Sequence, residues 1–189
     1  MRPVCYVFAR APRLGTVKRR LAAGIGARAA LSWYRATLGA TLRRLGPDRR
    51  FRTVLAITPD GARGPWRRRL PAVPQGRGDL GARMQRAANR HRRAPVAIVG
   101  ADIPDLRADD VARALRQLRG ADACFGPAAD GGYWLVALGA RRPARPFAAV
   151  RWSGPHALAD TLANFPRRRV ALLRRLHDVD TAADLEVRG

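Results

Sequence analysis

The sequence predicts an α/β domain of three layers, with helices on both faces of a mostly parallel sheet. Three observations lead to this fold class. Short apolar runs such as Val4–Ala9 and Pro95–Val99 are typical of strands buried on both faces. Segments with apolar residues at helical spacing separate these runs, and strand and helix alternate from the start. The 189 residues are 47% apolar and contain no internal repeat or linker, so we expect one domain over residues 1–189.

The same patterns place each element along the chain. Strands are predicted at Val4–Ala9, Phe51–Ile57, Pro95–Val99, Asp122–Gly126, Tyr133–Leu138 and Val170–Leu173. Helices are predicted at 17–45 (one helix, or two divided at Gly24/Gly26), 80–92, 111–118, 156–165 and 181–187, the last capped by Thr181. Residues 61–78 are rich in Gly, Pro and Arg and predict a loop with at most one helical turn, around Trp66–Leu70.

The loops that follow the strands are the expected place for a site. In open sheets of this kind, ligands bind outside the carboxyl ends of the strands. We therefore expect Arg10–Arg20, Ala101–Leu106 and Gly126–Gly132 to lie on one rim.

The charge is strongly positive and unevenly distributed. The chain has 37 Lys and Arg residues against 14 acidic ones, a net charge of +23, and Lys18 is its single Lys. Residues 1–94 carry a net charge of +20, whereas residues 95–189 carry +3. Such a balance suggests a polyanionic partner, either a nucleic acid or a phosphorylated small molecule.

Several classes of protein are excluded by what the sequence lacks. No apolar run is long enough for a membrane span or a secretory signal. Cys5 and Cys124 lie in apolar runs and predict buried, reduced thiols in a cytoplasmic protein. There is no zinc-ligand spacing, no serine-hydrolase GxSxG motif and no signature of a specific nucleic-acid-binding fold.

The loop after the first predicted strand has three cations at the start of a helix, Lys18, Arg19 and Arg20. Backbone N–H groups at a helix start and adjacent cations together suit a diphosphate. An ordinary strand-to-helix turn with solvated Arg side chains explains the pattern about equally well. Lys18 favours the phosphate site, because a compact ammonium can follow a phosphate where a planar guanidinium does not fit.

Carboxylates supply the second and third candidate groups. Asp102 follows a buried strand and could hold a divalent cation such as Mg²⁺, whereas Asp105 could equally cap the next helix. Asp178 and Asp180 stand at i and i+2, so both can reach one metal or ligand. Asp184, with Thr181, is more typical of the start of the terminal helix.

A Gly-rich segment, Gly126–Leu135, allows close approach of the backbone to a ligand. Its adjacent aromatic residues Tyr133 and Trp134 could stack on a sugar. The alternative is a hairpin in which Asp130 and Gly131 form a type I′ turn.

Five motifs in order resemble one family, a small bacterial glycosyltransferase A-like (GT-A-like) group formerly known as a domain of unknown function. Some members are arsenosugar-biosynthesis glycosyltransferases. The matching segments are Pro12–Leu21, Gly78–Met84, Gly100–Leu106, Gly126–Tyr133 and Asp178–Leu185. The resemblance therefore runs nearly from end to end. Departures occur at Arg19, Ala129 and Ala182, where relatives often have Thr, an acid and Pro.

The resemblance implies a Rossmann-like GT-A fold that binds a nucleotide-diphospho-sugar. It places the nucleotide and its phosphates at Pro12, Gly15, Lys18, Arg20 and Gly81. It suggests Asp102 as the carboxylate for a divalent metal, Mg²⁺ or Mn²⁺, with Asp180 or Asp178 closing the site. We assign Asp130 as the candidate catalytic residue, and Gly131, Gly132 and Tyr133 to the sugar or acceptor.

The leading hypothesis is transfer of a sugar from a nucleotide-diphospho-sugar donor to a small-molecule acceptor. One alternative is a nucleotidyltransferase of the same fold, which joins a nucleoside triphosphate to a phosphorylated or carboxylated acceptor and releases pyrophosphate. Another is a basic protein that binds a polyanion through charge alone. We expect no specific nucleic-acid partner.

Overall fold

The computed structural model describes residues 2–68 and 70–186 and contains one sheet of seven strands. The strands are β1 (Val4–Arg10), β2 (Arg52–Thr58), β3 (Ala72–Pro74), β4 (Val96–Gly100), β5 (Ala123–Pro127), β6 (Tyr133–Leu138) and β7 (Val170–Leu172). The helices are α1 (Arg19–Ile25), α2 (Ala27–Leu45), α3 (Leu80–Asn89), α4 (Ala108–Gln117), α5 (Ala157–Ala163) and α6 (Ala183–Glu186). Pro65–Arg68 forms a short 3₁₀ turn.

The sheet is mostly parallel, as the sequence predicts. Its order is β3-β2-β1-β4-β6-β5-β7. Strand β6 runs antiparallel to both of its neighbours, β4 and β5, whereas the other pairs of neighbouring strands in the described chain are parallel. The carboxyl ends of β1, β2, β4 and β5 consequently share one edge of the sheet.

Side chains of the strands alternate between two apolar clusters, one on each face. Cys5 and Val7 of β1 pack in the cluster that contains the buried residues of α2 and α4. Val4 and Tyr6 of the same strand face the opposite cluster, with buried residues of α3 and partly buried residues of α5. The three-layer arrangement is therefore confirmed. Successive side chains of a strand point to opposite faces of the sheet, so apolar residues along β1 require a covering layer on each face.

The long helical segment predicted after β1 is divided into two helices. Gly26 has a φ of 87°, which no α-helix can contain, and it separates α1 from α2. The choice between one helix and two is thus settled in favour of two.

Region 61–78 was predicted to be a loop, and this is wrong for β3. Its three residues Ala72–Pro74 pair with β2 at the edge of the sheet. So short a strand, ending in Pro, has no recognisable periodicity, and an edge position tolerates the missing N–H of the proline.

The ends of the helices differ from their predicted positions by a few residues. Helix α3 ends at Asn89 rather than Arg92, and α6 begins at Ala183 rather than Thr181. Thr181 was predicted to cap α6, but the roles are reversed, because Asp184 accepts hydrogen bonds from the backbone N–H and hydroxyl of Thr181. The predicted end at Val187 lies outside the described residues.

Both cysteines are buried and unpaired, as predicted. Burial raises the pKa of the Cys5 thiol well above its ordinary value and that of Cys124 to about 12, so both remain protonated and unreactive at neutral pH. In the described part of the chain, no helix is both long enough and apolar enough to cross a membrane.

Candidate functional site at the carboxyl edge of the sheet

The predicted rim is formed by three loops that follow strands. Residues 11–18 follow β1, residues 101–107 follow β4, and residues 128–132 join β5 to β6. The segment after β7 reaches the same edge, where a bridge pairs Ala128 with Leu176. The structure thus brings together the four groups of residues that the sequence singled out.

Lys18 is the last residue of the loop after β1, and its side chain reaches two other segments at this edge. Its side chain is only 6% exposed, and its Nζ lies 2.7 Å from Asp102 Oδ2 and 3.5 Å from Asp180 Oδ1. It also lies 5.8 Å from the centroid of the Trp33 ring. Lys18 therefore ties the first loop to the end of β4 and to the C-terminal segment.

The backbone of Lys18 is left-handed, with a φ of 46°. For a residue with a side chain this conformation costs about 1–2 kcal/mol, and it persists only where the surroundings enforce it. Burial alone would lower the pKa of the ammonium. The charge and hydrogen bond of Asp102, with the charges of Asp180 and Asp178, outweigh that effect and raise the pKa. Lys18 is therefore fully charged at neutral pH.

Gly100 makes room for the carboxylate of Asp102. A Cβ at position 100 would lie 3.0 Å from Asp102 Oδ1. The carboxylate thus has one oxygen on Lys18 and the other over the end of β4. Asp105 is not the cap of the next helix, because Arg107 is the N-cap of α4 and Asp110 accepts its backbone N–H.

A cavity of about 380 Å³ opens beside Asp102, between the loops. Its charged lining residues are three carboxylates, Asp102, Asp130 and Asp178. Much of its remaining wall is aromatic or aliphatic; the larger such residues are Phe8, Leu80, Met84, Ile98, Val99, Ile103, Tyr133, Trp134, Val136 and Trp152. A smaller cavity of about 230 Å³ adjoins it and shares Phe8, Leu80 and Asp102 as lining residues.

Asp130 lies at the mouth of the larger cavity. Its Oδ1 accepts the backbone N–H of Gly132 at 2.9 Å, which fixes the carboxylate over the loop. Gly131 has a φ of 85°, and a Cβ there would collide with the backbone of Pro155. The predicted hairpin is present, because β5 and β6 pair in antiparallel fashion, but Asp130 is not among the described non-glycine residues with positive φ, so its turn is not of type I′. The glycines instead permit a wider loop that contacts a second segment.

Tyr133 and Trp152 form an aromatic wall of the same cavity. Their rings meet edge to face, with centroids 6.4 Å apart. Burial raises the pKa of Tyr133 far above its ordinary value, so its hydroxyl stays neutral. Trp152 also contacts α3, since a Cβ on Gly81 would lie 2.9 Å from its ring. Gly81 thus positions Trp152 in the cavity wall.

The two carboxylates of the C-terminal segment have different partners. Asp178 lines the cavity, and its pKa is raised by burial and by the negative charges of Asp130 and Asp102, against the opposing charge of Lys18. Asp180 pairs with Lys18 and accepts a hydrogen bond from Arg20 at 3.0 Å. Between them Val179 is fully buried, which fits the predicted i, i+2 arrangement.

The other candidate nucleotide residues lie in the exposed part of the first loop. Gly15 has a φ of 73° in open space, within a turn in which Thr16 donates to the Arg13 carbonyl. Pro12 is partly buried, and the Arg20 side chain is 73% exposed. Trp152 belongs to none of the sequence motifs, and its place at the site follows from its position beside Gly81, which only the fold reveals.

A divalent metal is compatible with these residues. Asp102 and Asp178 line the same cavity, and carboxylate oxygens are the ligand type that a hard divalent cation takes. Mg²⁺ commonly uses one or two protein carboxylates and completes its shell with water and phosphate oxygens. The described residues include no ready-made group of three ligands, and Asp102 and Asp180 both pair with Lys18.

Comparison with solved structures identifies the fold. A provisionally named nucleotide-diphospho-sugar transferase from Desulfovibrio desulfuricans G20 superposes with a TM-score of 0.91 at 29% identity, over 98% of this chain and 85% of that one. A cytidylyltransferase from Leptospira borgpetersenii has a TM-score of 0.65 at 14% identity, over 98% and 84% of the two chains.

A third structure contains ligands. It is a glucosyl-3-phosphoglycerate synthase from Mycobacterium tuberculosis in complex with Mn²⁺, UDP and glucosyl-3-phosphoglycerate, and it has a TM-score of 0.60 at 12% identity, over 98% and 75% of the two chains. Together these similarities confirm the prediction that this chain has the Rossmann-like fold shared by GT-A enzymes and nucleotidyltransferases. Among curated proteins, no sequence matches the chain significantly.

The central part of the sequence matches a bacterial protein family. The family described as "Uncharacterized protein conserved in bacteria (DUF2064)" matches residues 41–154. This match covers more than half of the chain and includes the loops of Asp102 and Asp130. The protein therefore belongs to the DUF2064 family, in agreement with the resemblance seen in its sequence.

Proposed function

We propose that the protein transfers a sugar from a nucleotide-diphospho-sugar to a small-molecule acceptor, with the help of a divalent metal. One observation carries this proposal: an aromatic-walled cavity with three carboxylates lies at the carboxyl edge of the sheet, directly beside the buried Lys18. The relatives confirm the more general prediction that the chain is an enzyme of the transferase class.

The donor diphosphate would lie near the first loop. Lys18 and Arg20 supply positive charge there, and Gly15 leaves the loop backbone open to solvent. Pro12 and Gly81 complete the proposed nucleotide-binding set. When the nucleoside diphosphate leaves, its negative charge grows, and cations held in place beforehand stabilise it. The two carboxylate partners of Lys18 keep its ammonium in position before the substrate arrives.

The metal would be held by Asp102, with Asp178 or Asp180 contributing from the C-terminal segment. When bound, Mg²⁺ or Mn²⁺ would offset charge on the departing diphosphate. Gly100 keeps space for the Asp102 carboxylate, so this ligand is already in place at the end of β4.

The sugar and the acceptor would lie in the larger cavity. Asp130, at its mouth, would orient a hydroxyl group of the sugar or acceptor and is the candidate general base. Gly131 and Gly132 shape the loop that presents this carboxylate, and Tyr133 contributes a neutral aromatic wall.

Binding measurements test the proposal directly. Thermal unfolding is followed with UDP, GDP, ADP, CDP and dTDP, each with Mg²⁺ or Mn²⁺; we expect at least one combination to raise the melting temperature. The absence of any shift would overturn the phosphate site. In Asp102→Ala the metal-dependent part of the shift should disappear, and an unchanged shift would rule out Asp102 as a metal ligand.

The second candidate is a nucleotidyltransferase, because the cytidylyltransferase from Leptospira has the same fold. The products distinguish the two reactions. Release of pyrophosphate from a nucleoside triphosphate, with no turnover of nucleotide-sugars, would favour nucleotidyl transfer.

A further inference from the structure

The larger cavity has a charge opposite to that of the whole chain. Lys and Arg make up 37 of the 189 residues, about one in five. Among the described residues that line this cavity, however, none is Lys, Arg or His, and three are Asp. The cavity therefore has a local negative potential despite the net charge of +23.

The nearest cation does not remove this negative charge. Lys18 pairs with Asp102 and Asp180, so it offsets at most one of the three carboxylates that line the cavity. Asp130 and Asp178 line the cavity outside that pair. A divalent cation at Asp102 would leave the opposite side, around Asp130, still acidic.

The position of the two cavities indicates which part of a donor enters the acidic one. They meet at Asp102 and share Phe8 and Leu80. A nucleotide-sugar with its diphosphate at Asp102 would place its nucleoside on one side and its sugar on the other. The larger cavity has the aromatic faces of Tyr133 and Trp152, which suit the C–H face of a sugar ring, and carboxylates that accept hydroxyl hydrogen bonds.

We propose that the larger cavity selects donors whose sugar is uncharged, a polyhydroxyl ring without phosphate or carboxylate groups, and that Asp130 is the main determinant of this selection. This inference rests on the proposed function. It also disfavours the second candidate reaction, because a phosphorylated or carboxylated acceptor in this cavity would face the carboxylates of Asp130 and Asp178.

The test compares two donors that differ only in the charge of the sugar. The nucleoside diphosphate that binds best is identified first, from the panel of UDP, GDP, ADP, CDP and dTDP with Mn²⁺. Binding of its hexose and hexuronate conjugates is then measured by calorimetry; for uridine these are UDP-glucose and UDP-glucuronate. We expect the uronate to bind about tenfold more weakly, or worse, from repulsion by a partly solvated carboxylate.

Two variants test whether the carboxylate of Asp130 causes the difference in affinity between the two donors. Asp130→Asn removes a charge at an exposed loop and should bring the two affinities within about threefold of each other. Asp109→Asn is the matched control, because its side chain is 81% exposed on α4, outside the cavity, and it removes the same charge. It should leave the discrimination unchanged.

The outcomes separate this inference from the function on which it rests. If a nucleoside diphosphate binds but the uronate binds as well as the hexose, the selection is refuted and the transferase proposal stands. Discrimination that persists in Asp130→Asn would refute the role of Asp130. If no nucleoside diphosphate binds, both the function and the selection are wrong.

Discussion

Replacing Lys18 by Met tests whether its ion pairs organise the site. Met keeps most of the apolar stem but removes the ammonium that lies 2.7 Å from Asp102 and 3.5 Å from Asp180. Breaking a fully buried ion pair costs about 3–5 kcal/mol, because the remaining charge is stranded. Here the two carboxylates are 32% and 39% exposed and can regain water. We therefore expect a loss of about 1–2 kcal/mol in the free energy of unfolding.

The destabilisation caused by Lys18→Met should also depend on pH. The pKa of Lys18 is raised in the folded protein, so its stabilising contribution is complete below the unfolded value of 10.5 and declines as the pH rises through the folded pKa. The difference between wild type and Lys18→Met should thus be constant from pH 7 to 9 and shrink above about 10.5. Other groups that titrate there are common to both proteins and cancel.

Urea unfolding followed by circular dichroism measures both quantities. Arg20→Met is the matched control, since it also removes a cation from Asp180 but at a side chain that is 73% exposed. An exposed pair of this kind should cost less than about 0.5 kcal/mol. If Lys18→Met were no more destabilising than Arg20→Met, or if its effect persisted unchanged above pH 11, the organising role of Lys18 would be refuted.

Two further predictions concern the loop of Asp130 and the acid stability of the fold. Gly131→Ala should lower the free energy of unfolding by about 2 kcal/mol or more and weaken nucleotide-sugar binding, because it adds a collision with Pro155 to the strain of positive φ. The control is Gly61→Ala, whose Cβ would stand in open space at a positive φ. Urea unfolding should show a loss of only about 1 kcal/mol for this control. Burial, and then the charges of neighbouring Arg side chains, lower the pKa of His91 in the folded protein. The imidazole therefore binds a proton more tightly in the unfolded state, and the free energy of unfolding should fall as the pH drops below about 6.5. His91→Gln, which keeps a partner for the Tyr6 hydroxyl, should flatten that fall between pH 5 and 6.5, and an unchanged slope would contradict the assignment.

Much of the fold could be predicted because its signals are local. Runs such as 133–138 are apolar throughout and short, so they mark buried strands at their observed bounds. The alternation of strand and helix then fixes the class of fold. The edge strand Ala72–Pro74 was missed, since three residues with a terminal Pro carry no periodicity. The hairpin of β5 and β6 has a local signal in the Gly-rich segment between them, whereas the pairing of β6 with β4 joins segments that are distant in sequence and has no local pattern.

The site could be predicted only as a set of loops. Strand ends in a parallel sheet meet at one edge, so Asp102 and Lys18 were expected on the same rim. Their ion pair joins residues that are far apart in sequence, and it depends on the left-handed backbone of Lys18. Likewise, no spacing reveals that Gly81 contacts Trp152, or that Asp184 receives the hydrogen bonds of Thr181 instead of the reverse.

The charge of the chain is a misleading guide when taken as a whole. A net charge of +23 suggests a polyanion-binding surface, yet the cavity at the carboxyl edge is lined by carboxylates and aromatic rings. The proposed chemistry uses both properties, cations in the first loop for the diphosphate and an acidic cavity for the sugar. DNA affinity that falls steeply with salt and is unaffected in Lys18→Met and Asp102→Ala would support the polyanion alternative instead.

Turnover of nucleotide-sugars is the most direct test of the account. The purified protein is incubated with Mn²⁺ and a panel of nucleotide-diphospho-sugars, and release of nucleoside diphosphate, including slow hydrolysis without an acceptor, is followed by chromatography. We predict metal-dependent release from at least one uncharged-sugar donor, reduced about 100-fold or more in Asp102→Asn. No release from any donor, together with release of pyrophosphate from a nucleoside triphosphate, would contradict sugar transfer.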